Sequence, residues 1–265
     1  MLGKLTKYEI KATSRTFLPL YALLIIVAGI NRIFMFASED SKITQVSRTI
    51  AMMAFVFIII SIFVLTYICM IQRYYKNLVQ QEGYLMHTLP VGKTSLIMSK
   101  LITSIMWIVA SIIIALLSIF ILTGFKDNAT ILFPALATLI KDAYRELGMN
   151  LVFFIIEGIV MLIVSIASSI LMVYAAISIG QLFNKNRVIA SFGAYIVISI
   201  ILQLIGTILI IVSANFVPNN VLDGVLNAPA LLHCIFIGIT VISLIGSAMF
   251  FFISKHILSK KLNLE

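Results

Sequence analysis

Long apolar runs alternate along this chain with short polar stretches, and the lengths of both constrain what it can be. The runs cover residues 17–36, 50–71, 101–122, 151–175, 188–212 and 231–253. Each is near the roughly 20 helical residues needed to cross about 30 Å of hydrocarbon. The pattern predicts an all-α polytopic membrane protein with six transmembrane helices in a single transmembrane domain over residues 1–265. What lies between the runs is too short to fold as a separate soluble domain, so an activity that needs one must come from a partner. The first run reads as a span and not as a cleavable signal peptide. Its apolar part is long, and no small-residue cleavage site precedes Ser38-Glu39-Asp40-Ser41-Lys42.

Composition agrees, with 62% hydrophobic residues, 11% charged ones and a mean hydropathy of +1.14. Soluble domains are nearer half apolar and a quarter charged. A net charge of +9 would suit nucleic acid only if the basic residues shared one soluble face. Here they sit between apolar runs, and segregation across a membrane accounts for them, so no nucleic-acid partner is expected. One side holds thirteen: Lys4, Lys7, Lys11, Arg15, Arg73, Lys76, Lys93, Lys100, Lys185, Arg187, Lys255, Lys260 and Lys261. The other holds six: Arg32, Lys42, Arg48, Lys126, Lys141 and Arg145. The positive-inside rule puts the larger set, and with it both termini, in the cytoplasm. Cys69 and Cys234 then lie at opposite faces, which excludes a disulfide between them. Neither has a His or Cys at metal-ligand spacing.

Before the first span, Lys4, Lys7, Lys11 and Arg15 share an arc of roughly 80°, with Leu2, Leu5, Tyr8 and Ala12 on the neighbouring arc. Residues 1–16 are therefore expected to form an amphipathic interfacial helix on the cytoplasmic leaflet, with Leu18-Pro19-Leu20 turning the chain into the bilayer.

The most informative polar stretch is the cytoplasmic connection 73–100, far longer than two antiparallel spans need. It starts as a continuation of span two through Tyr74, Tyr75, Leu78 and Val79, breaks at Gly83 and Pro90-Val91-Gly92, and offers Thr94 or Ser95 as a cap for span three. Between the breaks, aromatic and aliphatic residues on a cytoplasmic surface invite a protein partner. Gly92-Lys93-Thr94 does not end a nucleotide-binding P-loop. That motif needs glycine where the chain has His87, and a strand where it has an amphipathic helix.

Four segments together resemble the type 2 ABC exporter permeases, in a compact form frequent in Gram-positive bacteria. They are Lys7-Tyr8-Glu9-Ile10-Lys11-Ala12, Glu82-Gly83-Tyr84-Leu85-Met86-His87-Thr88-Leu89-Pro90-Val91, Tyr174-Ala175-Ala176-Ile177-Ser178-Ile179-Gly180-Gln181-Leu182 and Lys260-Lys261-Leu262-Asn263-Leu264-Glu265. The resemblance spans essentially the whole chain and includes no catalytic motif. It implies a bacterial plasma-membrane permease working as a pair of identical or related chains, each docked on a cytoplasmic ATPase subunit. By position, Glu82, Gly83, Tyr84, Leu85, Met86, His87, Thr88, Leu89 and Pro90 would form the coupling helix. Phe183, Asn184, Lys185 and Arg187 would make a second cytoplasmic contact. The chain would bind no cofactor of its own, ATP and magnesium being held by the partner ATPase. The cargo implied is amphipathic or hydrophobic: amphipathic or antimicrobial and toxin peptides first, hydrophobic drugs and lipid-linked molecules otherwise.

Inside the apolar runs Glu157 is the only acid, about two turns or 9 Å from the outer end of span four. A charge there must face a cavity, pair with a cation or be protonated. It either lines the pathway or clamps helices, with Arg32, Arg48 and Arg145 as outer-side partners. Ser165, Ser168, Ser169 and Ser178 on span four, and Gln203 on span five, suit helix packing. Residues 131–149 suit an extracellular or interfacial helix, and 217–231 a short broken element. A stand-alone ion-coupled carrier is the competing class, although one acid and no evident repeat count against it. An intramembrane enzyme lacks its motifs.

The orientation is directly testable. With Cys69 and Cys234 replaced, single cysteines at Asp127 and Asn219 should react with an impermeant thiol reagent on intact cells, and one at Lys185 should not. The opposite labelling pattern would invert the topology.

Overall fold

The computed structural model describes residues 2–36, 42–80, 91–124, 130, 133–147, 150–183, 185–216 and 228–260. Among these the chain forms α1 (Leu2–Phe36), α2 (Lys42–Tyr74), α3 (Lys93–Thr123), α4 (Phe133–Leu147), α5 (Asn150–Gly180), α6 (Arg187–Phe216) and α7 (Ala228–Lys260), and no strand. A π-helical turn, Tyr75–Val79, continues α2. All but α4 are long and apolar enough to cross a membrane, so the chain is an all-α multi-pass membrane protein. Hydrocarbon offers backbone groups no water, and a helix satisfies them within its own segment. At 15 residues α4 spans about 22 Å, too short to cross. Its second residue is Pro134, where a missing N–H breaks no helical bond.

The turn expected at Leu18-Pro19-Leu20 does not occur. α1 runs unbroken from Leu2 to Phe36 with Pro19 inside it, so residues 2–16 are the first part of the same helix. A proline inside a helix costs about 3 kcal/mol, but Pro19 lies on the exposed side. The buried stripe Glu9, Thr13, Phe17, Tyr21, Leu24, Ala28 and Asn31 passes it without a gap.

The chain divides into two compact units, residues 1–72 with 98–143, and 73–97 with 144–265. In the first, α1 runs parallel to α3. Glu9 meets Lys100, Thr13 meets Trp107, Tyr21 meets Ser111, and Arg32 meets the carbonyls of Leu122 and Thr123, all at nearly the same sequence offset. The indole of Trp107 stacks on Phe17 at 4.5 Å and donates its Nε1–H to Thr13 Oγ1 at 2.7 Å. Thr66 of α2 joins through Ser111 at 3.2 Å. At the far end the Arg32 guanidinium caps the last carbonyls of α3, against Gly124 at φ +81. A Cβ at Gly124 would fall on the Arg32 side chain.

Near the start of this ladder Lys100 Nζ donates to Glu9 Oε1 at 2.5 Å, with side chains 4% and 9% exposed. Removing one partner of such a pair leaves a buried charge uncompensated, a loss of about 3–5 kcal/mol. Lys100→Met should therefore lower the melting temperature of the purified protein sharply. Adding Glu9→Leu should restore most of the loss, since two apolar side chains of similar size leave no charge behind. A single variant that melts like the parent would show that the pair is not a structural tie.

Candidate functional site

In the second unit α5 packs on α6 and α7. α5 and α7 run parallel, with Phe154 and Glu157 beside His233 and with Gly246 beside Ser168. Small residues at the latter crossing let the backbones approach. Glu157 Oε2 lies 2.8 Å from His233 Nδ1, and the imidazole stacks on Phe154 with ring centres 3.9 Å apart and planes 15° from parallel. The two side chains are 27% and 25% exposed. The partner of Glu157 is thus a histidine of α7 and not one of the three arginines, and Arg32 is occupied at the end of α3. His233 lies early in the sixth apolar run and is that run's only histidine, which was the signal that could have found it.

Beside the pair a groove of about 230 Å³ opens between α5 and α7. Ile156, Glu157 and Val160 line one wall, Phe236, Thr240 and Val241 the other. The Thr240 hydroxyl donates to the Phe236 carbonyl at 2.7 Å. The surface the groove exposes is apolar, with the Glu157 carboxylate and the Thr240 hydroxyl turned to partners beside it.

The proposed coupling residues Glu82, Gly83, Tyr84, Leu85, Met86, His87, Thr88, Leu89 and Pro90 lie outside the described residues, as does Asn184. The stems on either side of 81–90 are described. On the first, Tyr74, Leu78 and Val79 are buried. The Tyr74 ring stacks on Tyr174 of α5 at 3.9 Å, 8° from parallel, and its hydroxyl meets Ser178 Oγ at 2.9 Å and Ser254 of α7. On the second stem Leu96 and Ile97 are buried, and Lys93 Nζ donates to the Leu258 carbonyl of α7 at 2.6 Å, in the last turn where a cation offsets the helix dipole. Both stems are thus fastened to the α5–α7 pair. Tyr174, Ala175, Ala176, Ile177, Ser178 and Gly180 are buried, so this segment, singled out in the sequence for its resemblance, is a packing surface here.

Between α5 and α6, among the described residues 181–183 and 185–186, Asn186 lies in the left-handed region at φ 56. Leu182 and Phe183 are exposed at 44% and 54%, Lys185 is exposed and Arg187 half-buried. The tip is apolar, with its cations on the α6 side. Among the described residues no cluster of three or more His, Cys, Asp or Glu is placed to hold a metal.

No protein-family model, no curated protein and no solved structure matches this chain. Its function must be argued from its own residues.

The turn depends on close approach at Gly180, where a Cβ would fall on Oγ, N and Cα of Ser191. Gly180→Ala should destabilise the protein by about 1–3 kcal/mol, the usual range for overpacking. Adding Ser191→Gly should rescue only in part, because backbone atoms of residue 191 are also in the way. Complete rescue in a thermal melt would show that the side chain alone sets the spacing.

Proposed function

We propose that this chain is the transmembrane permease subunit of an ATP-driven exporter in a bacterial plasma membrane. Two copies, identical or related, work together, each docked on one cytoplasmic ATPase subunit that holds ATP and magnesium. The cargo is amphipathic or hydrophobic, with amphipathic peptides first and hydrophobic drugs or lipid-linked molecules next. The observation that carries this reading is the mounting of 81–90. Both of its stems are fastened to α5 and α7, through the Tyr74–Tyr174 stack and the Lys93–Leu258 contact. A segment held at both ends on one helix pair passes a displacement to that pair, whereas a loosely tethered loop absorbs it. The same pair carries Glu157 and His233, so movement of a docked ATPase would reach the carboxylate through two continuous helices. The exposed Leu182 and Phe183 supply a second apolar contact on the same α5 end.

A stand-alone ion-coupled carrier is the second reading, and the Glu157–His233 pair favours it, because ionisable groups inside spans are the usual elements of proton relays. It requires transport without a stoichiometric ATPase.

Replacing Leu85 and Leu89 together with Asp should abolish co-purification of the ATPase while insertion and melting temperature stay unchanged. Undiminished co-purification would remove 82–90 from the coupling role. Transport that persists with no ATPase bound would decide for the carrier.

A further inference from the structure

We propose that α6 pairs with α6 of a second copy of this chain through Gln203, the two side-chain amides bonding to each other inside the membrane. The pairing is a property of the chain in lipid; as the contact within a working pair of permeases it rests on the exporter reading.

Depth is what makes the glutamine informative. It lies 16 residues from Arg187 and 13 from Phe216, the ends of α6, or about 24 and 20 Å along the axis. Whichever roughly 30 Å of this helix the hydrocarbon covers, Gln203 is inside it. Lipid tails offer an amide neither a donor nor an acceptor. No residue of the most apolar stretch within Arg187–Leu209 is buried, and Gln203 is itself exposed. Ser199 and Thr207, its neighbours one turn away on either side, donate their hydroxyls to the Tyr195 and Gln203 carbonyls of α6 itself. Among the described residues no hydrogen bond meets the Gln203 side-chain amide. It is thus a polar group held in hydrocarbon by a chain that does not satisfy it, and satisfying it takes another protein group at the same depth.

A second copy supplies that group. A primary amide carries a carbonyl acceptor and two N–H donors, so two of them can each donate to the other. Two copies that cross the membrane in the same sense, related by a two-fold axis along its normal, bring their Gln203 residues to the same depth. Ile196, Ser199, Gln203 and Gly206 recur at spacings of three and four, the repeat of 3.5 residues that keeps one face of a helix against a parallel neighbour. A Cβ at Gly206 would meet nothing within 4 Å, so the approach of another backbone is open there. An acyl chain or a wholly apolar helix would cover the same face but leave the amide unmet.

The test uses the full chain without ATPase, with Cys69 and Cys234 replaced, in vesicles at low protein-to-lipid ratio, and reads the balance of monomer and dimer by single-molecule photobleaching. The parent should form dimers that dissociate as lipid is added. Gln203→Leu should weaken them by about tenfold, the scale of interhelical hydrogen bonds in membranes, while Gln203→Asn, which keeps an amide, should weaken them less. The melting temperature of the Gln203→Leu monomer should not fall, because the side chain is exposed in the single chain. A cysteine at Ser199 should cross-link two chains, and one at Ile201, on the opposite side of α6 at 100° per residue, should not. A parent that stays monomeric would overturn the proposal. So would a Gln203→Leu dimer as tight as the parent's, or equal cross-linking at 199 and 201, either of which would reduce the association to apolar contact. A Gln203→Leu monomer that melts early would place the partner of the amide within the chain and overturn it as well. Failure of the Leu85 and Leu89 experiment would remove the exporter reading and leave this pairing intact. A dimer indifferent to Gln203, with the ATPase still attached, would remove only the interface.

Discussion

In hydrocarbon a polar hydrogen has no acceptor except another protein group, and this chain meets that constraint in one repeated way. A serine or threonine gives its own hydrogen to a carbonyl one turn back in its helix, and its oxygen then accepts from a neighbouring helix. Thr13 donates to the Glu9 carbonyl and accepts from Trp107. Ser178 donates to the Tyr174 carbonyl and meets the Tyr74 hydroxyl. Thr66 donates to the Ile62 carbonyl, which orders a chain of donors from Tyr21 through Ser111 to Thr66. In each case the far end is an aromatic side chain with one polar atom, so a large apolar ring is placed by the hydrogen bonds of that one atom. These contacts supply direction, which dispersion between apolar helices in lipid does not.

Within each unit the directed contacts fall along parallel helices, α1 with α3 and α5 with α7. Parallel neighbours cannot be joined by a tight turn, so α2 and α6 return the chain between them. α6 makes much less of the packing: its apolar side chains are exposed along most of its length, and its contacts with α5 include the Gly180–Ser191 approach and the Ser191 hydroxyl on the Ile177 carbonyl. Its role in the single chain is mainly to carry the polypeptide back across the membrane.

Hydropathy made the six spans and the all-helical class legible, because 18-residue windows of high mean hydropathy are what distinguish these helices. The same measure hid the buried charges. A hydropathy run stops at a charged residue by construction, so Lys100 read as the end of a loop, although α3 begins at Lys93 and Lys100 is buried within it. Glu9 likewise read as part of a surface helix. Glu157 stood out because it interrupts an apolar run, but its partner depended on which helices lie side by side, and His233 carries no formal charge to attract attention. Pro19 misled for the opposite reason: a local helix breaker was outweighed by a buried stripe extending beyond it on both sides. The stems around 81–90 were visible as an apolar stripe, whereas their seat on Tyr174 and Leu258 is tertiary and left no local trace.

The Glu9–Lys100 pair also sets an order in time. The two residues are 91 positions apart, so at about 5–20 residues per second the ribosome delivers the lysine roughly 5–20 s after the glutamate. Until then the α1 carboxylate lacks this lysine, which favours its staying near the hydrated membrane surface. α1 can therefore enter the bilayer early, but this buried contact closes only when the third span arrives, and a ribosome paused between α1 and α3 would hold the nascent protein with the contact open.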